Sequence, residues 1–354
     1  MIDCHQFISI ILPVRNEEYR ISAVLDAILS ANYLRNQIEI ILSDGMSEDR
    51  TWMIVEKYQK QYPFIFMIKN PMKFVSTGFN LALNQAKGNV IIRIDGHCDI
   101  SPNYLENCLE LLKNNDADIV GGVIETCSIG YIGRAIAIAQ SAYFGVGGVK
   151  FRNSELKNSS YVDTLAFGAH RREIFSEIGG YDEEMVCNQD DEFNCRAIQA
   201  GKKIWMDPAI KTKYYSRSSF IKLFKQYFNY GCFKVRGIQK RRQIVSIRHF
   251  IPAMFIIILI GTLILGYFLH QPWFFFLVFF IYLIINILSS IIISPIIPLI
   301  PLVFLSFWTL HLGYGSGFIW GLIRFIGKWG DRSLKDSHFN REQFTANNSI
   351  SSLN

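Results

Sequence analysis

Phe7-Ile8-Ser9-Ile10-Ile11-Leu12-Pro13-Val14-Arg15-Asn16-Glu17-Glu18 is an apolar run that stops at a proline and passes into charge. A short apolar run closed by a turn reads as a buried strand. It is too short for a secretory leader and lacks the basic flank of one. Ile21, Val24, Leu25 and Ile28 then recur at helical spacing. The alternation continues to about residue 125. Residues 38–42, 64–69, 90–94 and 119–124 are strand-like, and 51–61, 77–86 and 102–113 are helical. Apolar strands alternating with amphipathic helices predict an α/β fold built on βαβ units, Rossmann-like with a mostly parallel sheet. Ligands of such sheets sit beyond the carboxyl ends of the strands, so the residues after each strand are the first candidates.

Three of those strand ends are acidic. The first carries Pro13, Arg15 and Glu17, the second Asp44-Gly45-Met46-Ser47-Glu48-Asp49, and a later one Asp95-Gly96-His97-Cys98-Asp99. In extended backbone Asp95, His97 and Asp99 would point the same way. Asp95 with His97 is then a donor pair for one divalent ion, Mg²⁺ or Mn²⁺, the imidazole favouring Mn²⁺. Asp99 precedes Ser101-Pro102 and reads more simply as a helix-start residue. Asp44 is open to two readings: a turn carboxylate ahead of a helix, or an acceptor for the imide N–H of a nucleobase such as uracil. Arg15 and Lys73 are candidates for phosphate oxygens, or plain surface cations.

Taken in order, Pro13-Val14-Arg15-Asn16-Glu17, Asp44-Gly45-Met46-Ser47-Glu48-Asp49 and Arg93-Ile94-Asp95-Gly96-His97 resemble the family 2 glycosyltransferases of the GT-A fold. The subgroup is that of succinoglycan-type exopolysaccharide synthesis, in which the metal motif is often Asp-Gly-His. The resemblance covers about residues 7–240. It implies that Glu17 and Asp44 contact the nucleotide of a nucleotide-sugar, and that Asp95 and His97 hold the metal on its diphosphate. It also implies a base that activates the acceptor. The family's Glu-Asp…Arg pattern falls on Gln189-Asp190 and Arg196, so Asp190 takes that place, with Gln189 where Glu is usual. Asp191 and Glu192 compete with it, and a helix N-terminus rich in acids accounts for all three without catalysis.

The rest of the 354 residues is a different kind of chain. Residues 250–326 hold one Arg and no Lys, Asp or Glu, whereas residues 211–248 hold eleven Lys or Arg and no acid. Half the chain is apolar, which excludes the disordered and small disulfide-scaffold classes. The seven Cys form no C-x-x-C pair, which argues against a zinc ribbon or a disulfide framework and for a reducing compartment. A basic run before a long apolar stretch points to anionic lipid rather than nucleic acid. The chain therefore divides into 1–215, the catalytic domain; 216–249, a basic amphipathic interface segment; 250–326, two or three transmembrane helices; and 327–354, a polar tail. Residues 220, 223, 224, 227 and 228 form an apolar stripe that suits a helix in the membrane interface. Residues 131–149 suit a second interfacial segment or a loop near the acceptor. Segments 251–269 and 273–294 each reach spanning length. Segment 298–323 is interrupted by Pro298, Pro301 and a polar run from His311 to Gly317. Lys240, Arg241, Arg242 and Arg248 place the catalytic domain on the cytoplasmic side of the cell (inner) membrane. The tail is basic as well, so three crossings conflict with that rule.

These features predict an inverting, metal-dependent glycosyltransferase that moves one sugar from a nucleotide-sugar, a UDP-sugar by family habit, to a polyprenyl-diphosphate-linked saccharide. The processive Gln-x-x-Arg-Trp signature is absent from the sequence. Transfer to polyprenyl phosphate itself, or a non-catalytic membrane scaffold, are the alternatives.

Overall fold

The computed structural model describes residues 6–153, 155–216, 218–242 and 246–351; Cys4 and Arg217 lie outside them. The elements run β1 (Ile8–Val14), α1 (Ile21–Leu29), β2 (Ile38–Asp44), α2 (Thr51–Gln61), β3 (Ile65–Lys69), α3 (Val75–Leu83), β4 (Val90–Arg93), β5 (Cys98–Ile100), α4 (Tyr104–Asn114) and β6 (Ile119–Cys127). Then come α5 (Gly130–Ser141), α6 (Tyr143–Val146), β7 (Ser160–Tyr161), β8 (Ala169–Arg171), α7 (Arg172–Ile178), α8 (Gln189–Gln199) and β9 (Ile204–Tyr215). The chain closes with α9 (Phe220–Arg241), α10 (Ile251–Phe268), α11 (Trp273–Ile293), α12 (Ile300–Arg324) and α13 (Arg341–Ser351). Two compact units result: Met1–Glu125 with Ser154–Tyr214 and Ser333–Asn354, and Thr126–Asn153 with Tyr215–Arg332.

In the first unit the sheet order is β3-β2-β1-β4-β8-β6-β9-β5, with β7 on β9. Strands β3, β2, β1 and β4 are parallel, as the βαβ alternation predicts. Strands β1 and β2 are buried along their whole length, the mark of strands covered on both faces. Helix α1 buries Ile21, Val24, Leu25 and Ile28, its apolar stripe. Beyond β4 the sheet turns antiparallel: β8 pairs against β4 and β6, and β5 and β7 against β9. The sheet is therefore mixed.

Residues 333–351, read from composition as a tail, are part of this unit. Phe344 is fully buried and Phe339 nearly so. Arg172, also fully buried, donates to the carbonyls of Ala86 (2.8 Å), Gly88 (3.1 Å) and Phe344 (2.6 Å), and its guanidinium stacks 3.6 Å from the Phe344 ring. Two aromatic residues in a polar segment were too sparse a signal to show this. Phe344→Ala is expected to cost the unit about 3–5 kcal/mol, because it removes both a buried ring and the face that covers a buried cation. Denaturant unfolding of the purified chain measures it, and a loss under about 1 kcal/mol would mean the segment is only loosely attached.

In the second unit the apolar stripe of α9 divides. Leu223 and Tyr227 pack with Val303, Phe307 and Leu310 of α12 and with Ala135, Ile136 and Ala139 of α5. Phe224 stays 40% exposed. The basic face is also partly internal: Arg236 is fully buried, 3.1 Å from Asp331, and donates to the carbonyls of Lys328 and Asp331. Lys234 and Lys240 are buried too. So three cations of the segment expected at a lipid surface lie inside this unit, Arg236 paired with Asp331. The polar run at 311–317 does not interrupt α12, which is continuous. Its glycines face backbone: a Cβ on Gly313 would stand 3.1 Å from the Phe224 carbonyl oxygen, and one on Gly321 2.6 Å from that of Cys232. His311 accepts from Tyr282 (2.9 Å) and donates to the Phe144 carbonyl (2.8 Å), a tautomer assigned from these partners. The segment read as 131–149 is mainly helical, as α5 and α6, with Tyr131 and Tyr143 exposed. Helices α10, α11 and residues 297–324 are each long and apolar enough to cross a membrane.

Candidate active site

Parallel pairing in register, Val14 against Asp44, brings the ends of β1 and β2 level. The loops that follow are laced together. The Asn16 N–H donates to Ser47 Oγ (2.9 Å) and the Glu48 N–H to Asn16 Oδ1 (2.9 Å). The Glu17 N–H donates to Thr51 Oγ1 (2.8 Å), and the Glu18 N–H to Asp49 Oδ2 (3.1 Å). Asn16 and Met46 take positive φ, 55° and 58°, to make these turns. Asp44 is buried, and its carboxylate accepts from the Ser47 hydroxyl (2.5 Å) and N–H (3.0 Å). The turn role of Asp44 is thus realised. Pro13 lies buried in β1 opposite Ser43.

The loop after β4 is a turn and not extended: the Cys98 N–H donates to the Asp95 carbonyl (3.1 Å). Gly96 favours that turn, and the alternation of side chains assumed for 95–99 does not apply. Asp99 accordingly leaves the other two. It neither starts a helix nor joins the cluster; it lies in β5 and accepts both oxygens' worth of hydrogen bond from Arg20 (3.1 Å). His97 Nδ1 is 3.0 Å from Glu17 Oε1, and its ring meets the Tyr214 ring edge-on at 5.0 Å. A Cβ on Gly96 would stand 2.9 Å from Glu17 Cγ, so the glycine makes room for that contact. With Nδ1 held by a carboxylate, Nε2 of His97 has no protein partner among the described residues and is left for a ligand.

Asp95 is held by Arg93, which donates from Nε (2.9 Å) and Nη2 (3.2 Å). Arg93 is 5% exposed and lies 5.7 Å from the centre of the Tyr181 ring. Tyr181 in turn stacks on Phe79 at 4.3 Å. Asp190 stands in the first turn of α8 and accepts the Asp191 N–H at Oδ1 (3.0 Å). Burial pushes its carboxyl above the ordinary range, Arg93 pulls it back down, and Asp191 and Asp95 add to the rise. Glu192 is committed elsewhere: its oxygens take Arg196 Nε (2.8 Å) and Nη2 (3.1 Å), and Arg196 also donates to the Gly180 carbonyl (2.6 Å).

Asp44, Ser47, Asn16, Glu17 and His97 therefore form one run of contacts, while Arg93 and Asp95 pair at the end of the adjacent β4, with Asp190 of α8 within reach of the Arg93 charge. Arg15 stays outside, an exposed partner of Glu48 at 3.5 Å. Lys73 is exposed, with φ 65°, and meets none of these residues. Arg93 is the residue the motif reading passed over. Its signal was there: a lone cation closing the apolar strand Val90-Ile91-Ile92 has to be paired when buried. Among the described residues no three His, Cys, Asp or Glu side chains cluster as a metal cage. Asp95, held by Arg93, and His97, held by Glu17, would supply at most two protein donors, so an ion here would be held mostly by ligand oxygens and water.

A mixed sheet whose parallel strands end in these acidic loops is the architecture expected of a GT-A fold. Residues 9–179 match Glycosyl transferase family 2, and the chain carries a domain of that family. It is 29% identical over 257 residues to the succinoglycan biosynthesis protein ExoA of Rhizobium meliloti, covering 72% of this chain and 77% of that one. It is also 29% identical over 268 residues to the dolichyl N-acetyl-alpha-D-glucosaminyl phosphate 3-beta-D-2,3-diacetamido-2,3-dideoxy-beta-D-glucuronosyltransferase of Methanococcus voltae, covering 73% and 82%. Among solved structures, the mannosyltransferase PcManGT of Pyrobaculum calidifontis, in complex with GDP-Man and Mn²⁺, superposes with a TM-score of 0.56 at 15% identity, over 90% of each chain. That likeness shows the shared fold.

Proposed function

We propose that the chain transfers one sugar, with inversion, from a nucleotide-sugar (a UDP-sugar) to a polyprenyl-diphosphate-linked saccharide at the cytoplasmic face of the cell membrane. The observation that carries this reading is that a half-buried carboxylate, Asp190, and the strand-end carboxylate Asp95 both lie in the field of one buried cation, Arg93, which bonds Asp95 directly. Asp190 takes the proton from the attacking acceptor hydroxyl. A single base and in-line attack invert the anomeric centre. Asp95 and His97 hold a divalent ion, Mn²⁺ or Mg²⁺, which when bound supplies positive charge against the leaving diphosphate. Glu17 orients His97 rather than touching the nucleotide directly. Asp44 and the laced loops, with Pro13 and Arg15 at their edge, line the nucleotide side. The lipid-linked acceptor is supported by the name of one relative, which acts on a dolichyl-linked phosphate sugar, and polysaccharide synthesis by that of the other, a succinoglycan biosynthesis protein. Exposed Lys222 and Lys225 on α9 suit an anionic membrane surface. The regions 1–215, 216–249, 250–326 and 327–354 are taken as catalytic domain, interface segment, membrane region and tail, except that 126–153 belongs to the second unit and part of the tail to the first.

The test is donor binding by the purified full chain in detergent. UDP, GDP and CDP are titrated with and without Mn²⁺, followed by transfer to a polyprenyl-diphosphate saccharide and to polyprenyl phosphate. Mn²⁺-dependent UDP binding is expected, weakened roughly 10–100-fold by Glu17→Gln, as for loss of a partner that orients a ligand. Binding unaffected by Mn²⁺ would remove Asp95 and His97 from the metal role. Transfer to polyprenyl phosphate alone would establish the alternative acceptor.

A further inference from the structure

We infer that two of the three apolar helices cross the bilayer, α10 and α11 as a hairpin, while α12 stays beside α9 on the face that carries the catalytic unit. The inference rests on the membrane reading above and deepens it.

The first argument is parity. The chain leaves the catalytic unit after Tyr214 and rejoins it at Ser333. The rejoining segment is built into that unit. Arg172 holds the Phe344 carbonyl, Asn84 donates to the His338 carbonyl (2.7 Å), and Glu183 accepts from the His338 N–H (3.0 Å). A bilayer cannot divide a packed core, so the chain between Tyr214 and Ser333 crosses an even number of times. Three single crossings are excluded.

The second argument identifies which helices cross. Helices α10 and α11 have 18 and 21 residues, or about 27 and 32 Å at 1.5 Å per residue, against a hydrocarbon core of about 30 Å. Only 11% of the residues in each are buried in the protein, against 39% for the third apolar stretch. Four residues, 269–272, join them, and so short a link makes them antiparallel. Helix α12 is bound differently. Gly313, Gly317 and Gly321 face the backbones of Phe224, Phe228 and Cys232, and Gly231 of α9 faces that of Tyr314. Both series rise in steps of four, so α9 and α12 run parallel. Helix α9 carries Lys222, Lys225, Lys234, Arg236, Lys240 and Arg241. Each such cation costs about 2.5–3.5 kcal/mol at the centre of a membrane helix, so α9 stays out of the hydrocarbon. A crossing by α9 fails on direction as well: were all four helices to cross in turn, α9 and α12 would be antiparallel. A further partner of α12, α5, has 12 residues, too few to span. The segment that bears α5, Thr126–Asn153, leaves the catalytic unit and returns to it. Helix α12 is thus packed against two helices that remain on the near face, and it meets the hairpin as well, Gly315 at Pro252 of α10 and His311 at Tyr282 of α11. The glycines and His311 that look like interruptions in a span are contacts in this packing.

The test is labelling of the full chain with a membrane-impermeant maleimide, in inside-out and right-side-out vesicles. Cysteines are added singly at exposed sites: Lys60→Cys on the catalytic unit, Gln343→Cys on α13, and Gln271→Cys between α10 and α11. Signal is read above that of the parent chain. Lys60→Cys and Gln343→Cys are expected to react from the same face, and Gln271→Cys from the opposite one only. Reaction of Gln343→Cys from the face opposite Lys60→Cys would establish an odd number of crossings and overturn the inference. Reaction of Gln271→Cys from the same face as Lys60→Cys would show that the hairpin does not cross, and would overturn it too. Recovery of the chain in the soluble fraction would overturn the membrane reading itself, and this inference with it.

Discussion

Asp190→Asn is expected to lower kcat for sugar transfer by about 10³-fold, within the range that loss of a positioned general base produces. The substitution is nearly isosteric. The amide oxygen still accepts the Asp191 N–H that Asp190 Oδ1 accepts now, so the first turn of α8 keeps its geometry. What is lost is the capacity to take a proton. Burial favours the neutral form of this carboxyl, which makes it a better base than a surface aspartate, and the Arg93 charge restores part of its acidity. Mn²⁺-dependent UDP binding is expected to stay within about threefold of the parent, since a change confined to the base alters kcat rather than donor affinity. Glu192→Gln provides the contrast. Glu192 holds Arg196, which ties α8 to the Gly180 carbonyl, so its loss is expected to act on stability. If Asp190→Asn turns over within about tenfold of the parent, the base is not Asp190 and Asp191 becomes the candidate.

The parallel half of the sheet was legible because β1, β2 and β4 are covered on both faces and read as unbroken apolar runs ending in polar turns. The antiparallel half was not. Strand β9 does alternate, with Ile204, Met206, Ile210, Thr212 and Tyr214 inward. But Pro208, Lys211 and Lys213 dilute the pattern, and β8 is only three residues long. At the site, the residue types after each strand were readable and their conformations were not. Gly96 gives Asp95-Gly96-His97 a turn that sends Asp99 to Arg20, and spacing alone could not tell a turn from a strand. The acids at 190–192 looked equivalent in sequence. Only the folded helix shows that Glu192 is bound to a buried arginine four residues on. Composition likewise made residues 211–248 a lipid-facing belt, whereas the glycines of α12 draw α9 so close that Arg236 ends up inside, paired with Asp331.

Arg93→Met tests whether that buried cation is part of the chemistry or only of the fold. Methionine fills much of the volume and removes the charge. Asp95 loses the two hydrogen bonds that fix its carboxylate, and Asp190 loses the one favourable charge acting on it. Breaking a buried pair by removing one partner costs about 3–5 kcal/mol of stability, so the melting midpoint is expected to fall and assays belong well below it. At such temperatures kcat/KM is expected to drop by at least about 10²-fold, through both the disordered Asp95 and the altered base. The direction of the pH response follows from the sign of the lost interaction. Arg93 favours the ionised form of Asp190, so without it the folded carboxyl takes up a proton more readily. The acid limb of the pH–rate profile therefore moves to higher pH, and part of the lost activity returns as the pH is raised. Arg93→Lys is expected to restore the pH profile better than the rate, because an ammonium supplies charge but not the fork that grips both Asp95 oxygens. A purely structural arginine would behave otherwise: kcat/KM would fall in proportion to the fraction of folded enzyme, with the acid limb unmoved in both variants. That outcome would leave Asp190 to be tuned by burial and its acidic neighbours alone, and would separate the proposed base from Asp95, which Arg93 holds.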